Sequence, residues 1–548
     1  MVKRIRGTSN RWRSCVRALL LSIVALTVVI QSDAAMPADS ITLSVDLYKP
    51  GPKISRNIFG QFAEHLGHGI YEGIWVGPDS TIPNTRGIRN DVVKALKALK
   101  VPNIRWPGGC FADEYHWRNG IGPADKRTIT LNPDWGGVIE PNTFGTHEFM
   151  DFIDQIGAEA YVSVNLGSGT PREAVEWLEY MTTAQPTTLQ KERAANGHPA
   201  SYKVAYLGVG NESWDCGGNM SPEYYLSQFK IYDHFVRNFN STQQQKDQML
   251  KIAVGPGGGE PRWTEWTEQI MKAYPSHTWS WDMNGLSMHS YTVGHWPPSF
   301  KSVGFGETEY AQILKATLEM DASIAKQSAI MDKYDPLKKV ALVVDEWGAW
   351  YEPLPGSNPG FLVQQNSLRD AILAALNLNI FARHGDRVRM ANIAQMVNVL
   401  QAMIMTDKDR MVLTPTYHVF KMYVPFQDAT FVPITFQSGT YIAGDITLPR
   451  VDAIAAKDTQ GKLWLAITNL DANKPITIEA AVAGAAARSA AGETLTAPNV
   501  DSVNTFDAPN TVAPKPISVK AEGGKLSLEL APKSVTVVCL EQQLSTSN

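Results

Sequence analysis

The sequence predicts an α/β protein, a (β/α)8 TIM barrel with a C-terminal β-sandwich domain. Three observations predict it. Between about residues 54 and 425, short apolar runs alternate with amphipathic stretches, the pattern of parallel βαβ units. There are eight such runs, the number that closes a barrel over a chain of this length. Beyond about residue 425 helical periodicity fades, and short alternating runs appear between Pro, Gly, Asn and Asp clusters. The boundaries read from the chain are 1–35 for an N-terminal signal, 36–53 for a strand joining the sandwich, 54–425 for the barrel and 426–548 for the sandwich.

The predicted barrel strands are Asn57–Phe62, Asn103–Trp106, Ala160–Asn165, Val204–Val209, Lys251–Val254, Gly285–His289, Val340–Val344 and Ala394–Val399. Helical spacing falls at Val92–Leu99, His147–Ile156, Arg172–Met181, Tyr224–Phe239, Tyr310–Tyr334 and Gln365–His384. A doubly wound sheet is the alternative, but its glycine fingerprint is missing. The run Gly255–Gly259 contains a proline and lacks the Lys-Ser/Thr of a phosphate loop, so it reads as a strand-end turn at the barrel mouth. In the C-terminal part, Leu463–Thr468, Ile476–Ala481, Ile517–Ala521 and Ser534–Leu540 read as strands, and Ala480–Ala491 as a loosely packed strand and loop. Ser40–Tyr48 places Ile41, Leu43, Val45 and Leu47 on one face and is expected to join them from the other end of the chain.

The bulk numbers narrow the class. The 548 residues, 44% hydrophobic and 19% charged, are enough for two or three domains with a large core. A net charge of -4 gives no basic footprint for nucleic acid and no polybasic membrane patch. Six basic residues between Lys3 and Arg17 precede the apolar run Ala18–Ile30, which is too short for an ordinary spanning helix; this is the pattern of an export signal, so the expected location is periplasmic or secreted. Of the four cysteines, Cys15 falls in that segment, and Cys110, Cys216 and Cys539 remain, an odd number that excludes a disulfide scaffold. Cys110 and Cys216 each follow a predicted strand, and whether they bridge stays open. Asn240-Ser241-Thr242 is a glycosylation sequon. The eleven histidines include no His-Glu-x-x-His, so no metal set is expected.

Two phrases carry the chemistry. Val209-Gly210-Asn211-Glu212 and Val343-Val344-Asp345-Glu346-Trp347 each set a glutamate at the end of a buried apolar run, where a carboxylate is costly without a function. By the strand count, Glu212 follows the fourth strand and Glu346 the seventh. Two carboxyl groups about 5–5.5 Å apart, one ionised and one protonated, are what glycoside hydrolysis with retention requires. Like charges that close raise one pKa and so supply the acid.

Five phrases in order extend this reading: Gly60–Gly67 (GQFAEHLG), Arg105–Phe111 (RWPGGCF), Gly208–Trp214 (GVGNESW), Met288–Thr292 (MHSYT) and Asp345–Gly348 (DEWG). Together they resemble the α-L-arabinofuranosidases of glycoside hydrolase family 51, from about residue 42 to the C-terminus. The resemblance implies a retaining (β/α)8 glycosidase with a sandwich built from both chain ends. It implies Glu212 as acid/base and Glu346 as nucleophile, with Asn211 on the sugar's 2-hydroxyl. It places Tyr291 beside the nucleophile, with His289 sharing that face. Glu64 would bind furanose hydroxyls or pair with Arg105 beneath the site. Cys110 would touch the sugar, Gln395 would close the pocket, and Trp135 and Trp350 would wall it. The loop Glu352–Gly360 would rim it.

The expected function is therefore an exported, exo-acting α-L-arabinofuranosidase that removes terminal arabinofuranosyl residues from arabinoxylan, arabinan or their fragments. It needs no cofactor, its partner is an arabinose-containing glycan, and the resemblance allows a homo-oligomer. A β-xylosidase or endo-β-glucanase is the alternative within the same chemistry. A carbohydrate-binding protein without turnover is the alternative outside it.

Overall fold

The computed structural model describes residues 40–240, 242, 249–483, 487–522 and 524–542. The predicted signal, residues 1–35, lies outside them, as does Ser241 of the sequon. Eight parallel strands close the barrel in chain order: β1 (Gly60–Phe62), β2 (Asn103–Trp106), β3 (Glu159–Val164), β4 (Tyr206–Val209), β5 (Leu250–Ala253), β6 (Gly285–Thr292), β7 (Ala341–Ala349) and β8 (Val388–Ile393). Largely buried on both faces, seven of the eight overlap the runs from which they were predicted.

β6 and β7 run past their predicted ends, to Thr292 and Ala349, and two further strands differ from expectation. The first predicted strand begins too early, because Arg56–Phe59 form a 3-10 turn in which the Ser55 side chain accepts from the Asn57 N–H. The eighth was expected over Ala394–Val399, but that segment crosses the barrel mouth, where Ala394 and Val399 pack against Phe62 and Leu66. The true strand was masked by Arg389 and Asn392 within it. Arg387, just before it, is fully buried, donating to Asp335 and to the Val340 carbonyl.

Each predicted helix is present with small shifts of its ends. Thr170 caps Pro171–Thr182 and Ser221 caps Pro222–Phe235, each with proline in the first turn. Arg262–Ala273, Thr188–Ala195 and Pro415–Met422 were not anticipated.

The C-terminal residues form a five-stranded and a six-stranded sheet. Ser40–Asp46 joins the first, running parallel to Ile476–Ala483, and its Ile41, Leu43 and Val45 pack in one core with Leu465 and Val538 of the other sheet. The single strand expected over Ile517–Ala521 is two. Lys515–Ile517 belongs to the six-stranded sheet and Lys520–Glu522 to the five-stranded one, so the chain changes sheets there. The helix Leu368–Arg383, buried along Leu368–Ala382, packs against β7 and β8 on one side and against Val451–Lys457 and Leu463–Asn469 on the other. No helix among the described residues is long and apolar enough to cross a membrane.

Candidate active site

The candidate residues converge at the C-terminal ends of β1, β2, β4, β6 and β7. One local irregularity brings the acidic groups together. Ser287 of β6 pairs with Val343 of β7, but His289 pairs with Glu346, so β7 holds one extra residue. The same slip appears against β8, between Val344 and Trp347. A bulge of this kind re-aims side chains. Here it turns two consecutive acids, Asp345 and Glu346, into the barrel, at 1% and 5% exposure.

Glu346 lies inside β7 rather than past its end. Arg105, on β2, donates to its Oε1 at 2.7 Å, and the Tyr291 hydroxyl donates to its Oε2 at 2.7 Å. Burial pushes the Tyr291 phenol far up, and the Glu346 charge adds to this, so the hydroxyl stays protonated as a donor. Arg105 also lies 3.7 Å from Asp345, whose Oδ2 accepts from Tyr161 at 2.7 Å. Burial would raise the Asp345 carboxyl, but Arg105 and His289 hold it below the usual range.

Glu212 follows β4 with φ of 38°, a left-handed conformation unusual for a residue with a Cβ. The N–H groups of Asp215 and Gly217 donate to its carbonyl at 2.7 and 3.1 Å and fix it there. A Cβ on Gly217 would meet the Asn211 carbonyl oxygen at 1.7 Å, so only glycine fits this turn. Asp113, unremarked in the sequence, holds the turn from below. Its Oδ2 accepts from the Asn211 N–H at 2.9 Å and its Oδ1 from Leu166 and Gly167 at 2.7 Å each. The Asn211 Oδ1 accepts from Arg105 at 2.5 Å, which turns its amide nitrogen outward.

His289 Nδ1 lies 2.8 Å from Glu212 Oε1 and 3.5 Å from Glu346 Oε1, and its Nε2 lies 3.3 Å from Asp345. Burial would lower its pKa. The Glu346 charge and the bonds to Asp345 and Glu212 lift it to about 10, so the imidazole is charged at neutral pH. One carboxylate oxygen of Glu212 lies within 4.8 Å of one of Glu346. Four carboxyl groups (Glu64, Glu212, Asp345, Glu346) face two cations, Arg105 and His289, so ionising all four would leave buried negative charge uncompensated. Desolvation, opposed by His289 and helped by Glu346, raises the Glu212 pKa. A metal at Glu212, His289 and Glu346 would compete with both cations already there.

Glu64 does not pair with Arg105, whose guanidinium goes to Glu346 and Asp345 instead. Its Oε1 accepts from the Phe111 N–H at 3.1 Å and from the Trp135 indole at 2.9 Å, and its Oε2 from Gln395 at 3.0 Å. Burial and the Glu346 charge outweigh these donors and push it up to about 8. Gln395 therefore reaches the site from the segment after β8, not from that strand. Cys110 is no free thiol: it is bridged to Cys216.

Glu64, Cys110, Trp135, Glu212, His289, Tyr291, Glu346, Trp350 and Gln395 line one cleft of about 900 Å³, whereas the predicted site residues Arg105 and Asn211 are buried and do not line it. Trp135 lines the cleft beside Glu64, and Trp350 stands edge-on to Tyr291 and to Trp296. Gly258 and Gly259 line it, as expected of the Gly255–Gly259 turn. Residues Glu352–Gly360 do not line it, because Leu354 folds back onto Val363; Trp350 and Leu362 on either side do. Trp214, Trp296 and Arg262 also line it and were missed. Only the Trp214 phrase carried a signal.

Family models match two parts of the chain: an α-L-arabinofuranosidase 1 domain over residues 95–295 and an α-L-arabinofuranosidase C-terminal domain over residues 345–534. An intracellular exo-α-L-arabinofuranosidase of Bacteroides ovatus is 44% identical over 528 residues, covering 96% of this chain and 100% of the relative. The crystal structure of the GH51 arabinofuranosidase from Xanthomonas axonopodis pv. citri superposes with a TM-score of 0.88 at 52% identity, covering 92% of this chain and all of that one. The α-L-arabinofuranosidase from Thermotoga maritima, solved as an arabinose complex, gives 0.78 at 30% identity with the same coverage. The expectation of export is corrected by these matches. The Bacteroides relative, matched over its full length, is an intracellular enzyme. A short basic and apolar pattern outside the described residues carries less weight than that match.

Proposed function

We propose that this chain, which belongs to the α-L-arabinofuranosidases of glycoside hydrolase family 51, cleaves by double displacement with retention at Glu212 and Glu346. As an exo-α-L-arabinofuranosidase it acts on arabinose-containing glycans. The observation that carries the mechanism is the approach of the two carboxylates, with oxygens within 4.8 Å. That leaves no room for the water an inverting pair holds between its groups, and fits a nucleophile and an acid.

In this reading Glu346 attacks the anomeric carbon. Arg105 and Tyr291 hold its two oxygens, fixing their direction. Glu212, its pKa raised by burial, gives its proton to the leaving oxygen and later takes one from water. Asn211, oriented by Arg105, donates to the sugar's 2-hydroxyl. Glu64, Gln395 and Trp135 form the end wall that accepts one furanose ring, which supports exo action. The outer cleft, with Trp296, Trp350 and Trp214, takes the rest of the glycan, arabinoxylan or arabinan or their fragments. The test is a nitrophenyl panel: α-L-arabinofuranoside, α-L-arabinopyranoside, β-D-xyloside and β-D-glucoside. Release dominated by the arabinofuranoside supports the furanose pocket; dominant release of xylose or glucose overturns it.

A further inference from the structure

The Cys110–Cys216 disulfide joins the turn after β2 to the turn that carries Glu212. We propose that opening this bridge creates a metal site, in which Cys110, Cys216 and Glu212 bind a soft divalent cation of the Zn²⁺ class and block hydrolysis. The two sulfurs and a Glu212 oxygen lie within 4.8 Å of one another. Glu212 Oε1 is taken by His289, whereas its Oε2 faces Cys216 Sγ at 3.6 Å. A bridged sulfur has no proton to donate and no charge, so in the closed state this contact is weak. Once reduced, the pair offers two thiolates beside a carboxylate already oriented from behind by an imidazole N–H. That is a three-ligand zinc set with a second shell and a fourth position open to water. Asn211 Nδ2, 3.9 Å from Cys216 Sγ, is a further donor that favours the thiolate. Cys216 is exposed and both cysteines line the cleft, so reductant and cation can reach them.

The chemistry balances with a dithiol or a phosphine as reductant. The S–S bond breaks and two electrons and two protons reach the sulfurs; a dithiol leaves as its own disulfide, and a phosphine leaves as its oxide, taking the oxygen, and the thiols their protons, from one water. The cation then displaces the thiol protons. The bridge thereby keeps metals off Glu212. The inhibitory half of the proposal rests on Glu212 being the acid/base; the binding half does not.

The test uses the full chain in two forms, bridged and phosphine-reduced, the second desalted without oxygen. Equilibrium dialysis against micromolar Zn²⁺ should show one more bound ion per chain in the reduced form. Co²⁺ in place of Zn²⁺ should give a near-ultraviolet thiolate charge-transfer band, which reduced Cys216→Ser lacks. Glu212→Gln should weaken binding about tenfold or more. Zinc should slow the reduced enzyme about tenfold or more, reversibly with a chelator, and leave the bridged enzyme unaffected. Equal zinc binding by both forms, or no thiolate band, overturns the site. Thiolate-bound metal with undiminished hydrolysis overturns the inhibitory half and the role of Glu212 with it.

Discussion

Glu64→Gln offers a test of the site's electrostatics that does not depend on turnover. The folded protein keeps a proton on Glu64 up to about pH 8, whereas the unfolded chain releases it near 4.5. Between those values the folded state binds more protons, so stability must fall as the pH rises through the window. At about 1.4 kcal/mol per pH unit, the loss across it is roughly 4–5 kcal/mol. Glutamine has the same shape and no charge, so the variant should lose that slope. It does bring one mismatch. If its oxygen accepts from Phe111 and Trp135, its amide faces the Gln395 amide, which now donates to Glu64 Oε2. That costs about 1–3 kcal/mol at low pH, where the wild type is the more stable. The two stability curves should therefore cross as the pH rises. Chemical denaturation at intervals from pH 4.5 to 8 measures this. Parallel curves would show that Glu64 is ionised throughout and that its three donors outweigh burial, refuting the charge balance drawn for the site.

Glu212→Ala should cut hydrolysis of natural oligosaccharides about a hundredfold to ten-thousandfold and spare aryl arabinofuranosides with good leaving groups, as steady-state rates on both will show. In the proposed role of acid, Glu212 with its raised pKa makes the wild-type rate on natural substrates fall as the pH rises through that pKa, and the variant should lack this limb. Arg105→Met leaves buried Glu346 and Asp345 to share the single cation His289 and should destabilise the fold by about 3–5 kcal/mol, read by denaturant titration. Tyr291→Phe removes one charge-assisted bond to Glu346, worth about 1.5–3 kcal/mol, and should lower kcat about tenfold to a hundredfold with little change in KM.

Much of the fold could be read from the chain because buried parallel strands have a simple signature. Ala160–Val164 and the runs Val204–Val209 and Val340–Val344 before the two glutamate phrases are largely apolar. The eighth strand escaped because Arg389 and Asn392 break its run, and the apolar segment beyond it packs in a way that periodicity cannot distinguish from a strand. The proposed catalytic pair and Tyr291 stood out because their polar phrases interrupt or follow apolar runs, although Glu346 lies within its strand rather than past its end. Asp113 was not, since a carboxylate that binds three backbone N–H groups looks in sequence like any loop acid. The pairing of Asp345 beside Glu346 depends on a bulge, a feature of register between strands. The Cys110–Cys216 bridge spans 106 residues, and only the closed barrel brings its ends together.

The central claim is that Glu346 attacks the sugar and Glu212 moves the proton, in two displacements. Following hydrolysis of an aryl α-L-arabinofuranoside in the presence of methanol by proton NMR tests it most directly. The account predicts methyl α-L-arabinofuranoside as the first methanolysis product, the configuration of the substrate. First formation of the β-anomer would mean a single displacement and would contradict the assignment of both glutamates.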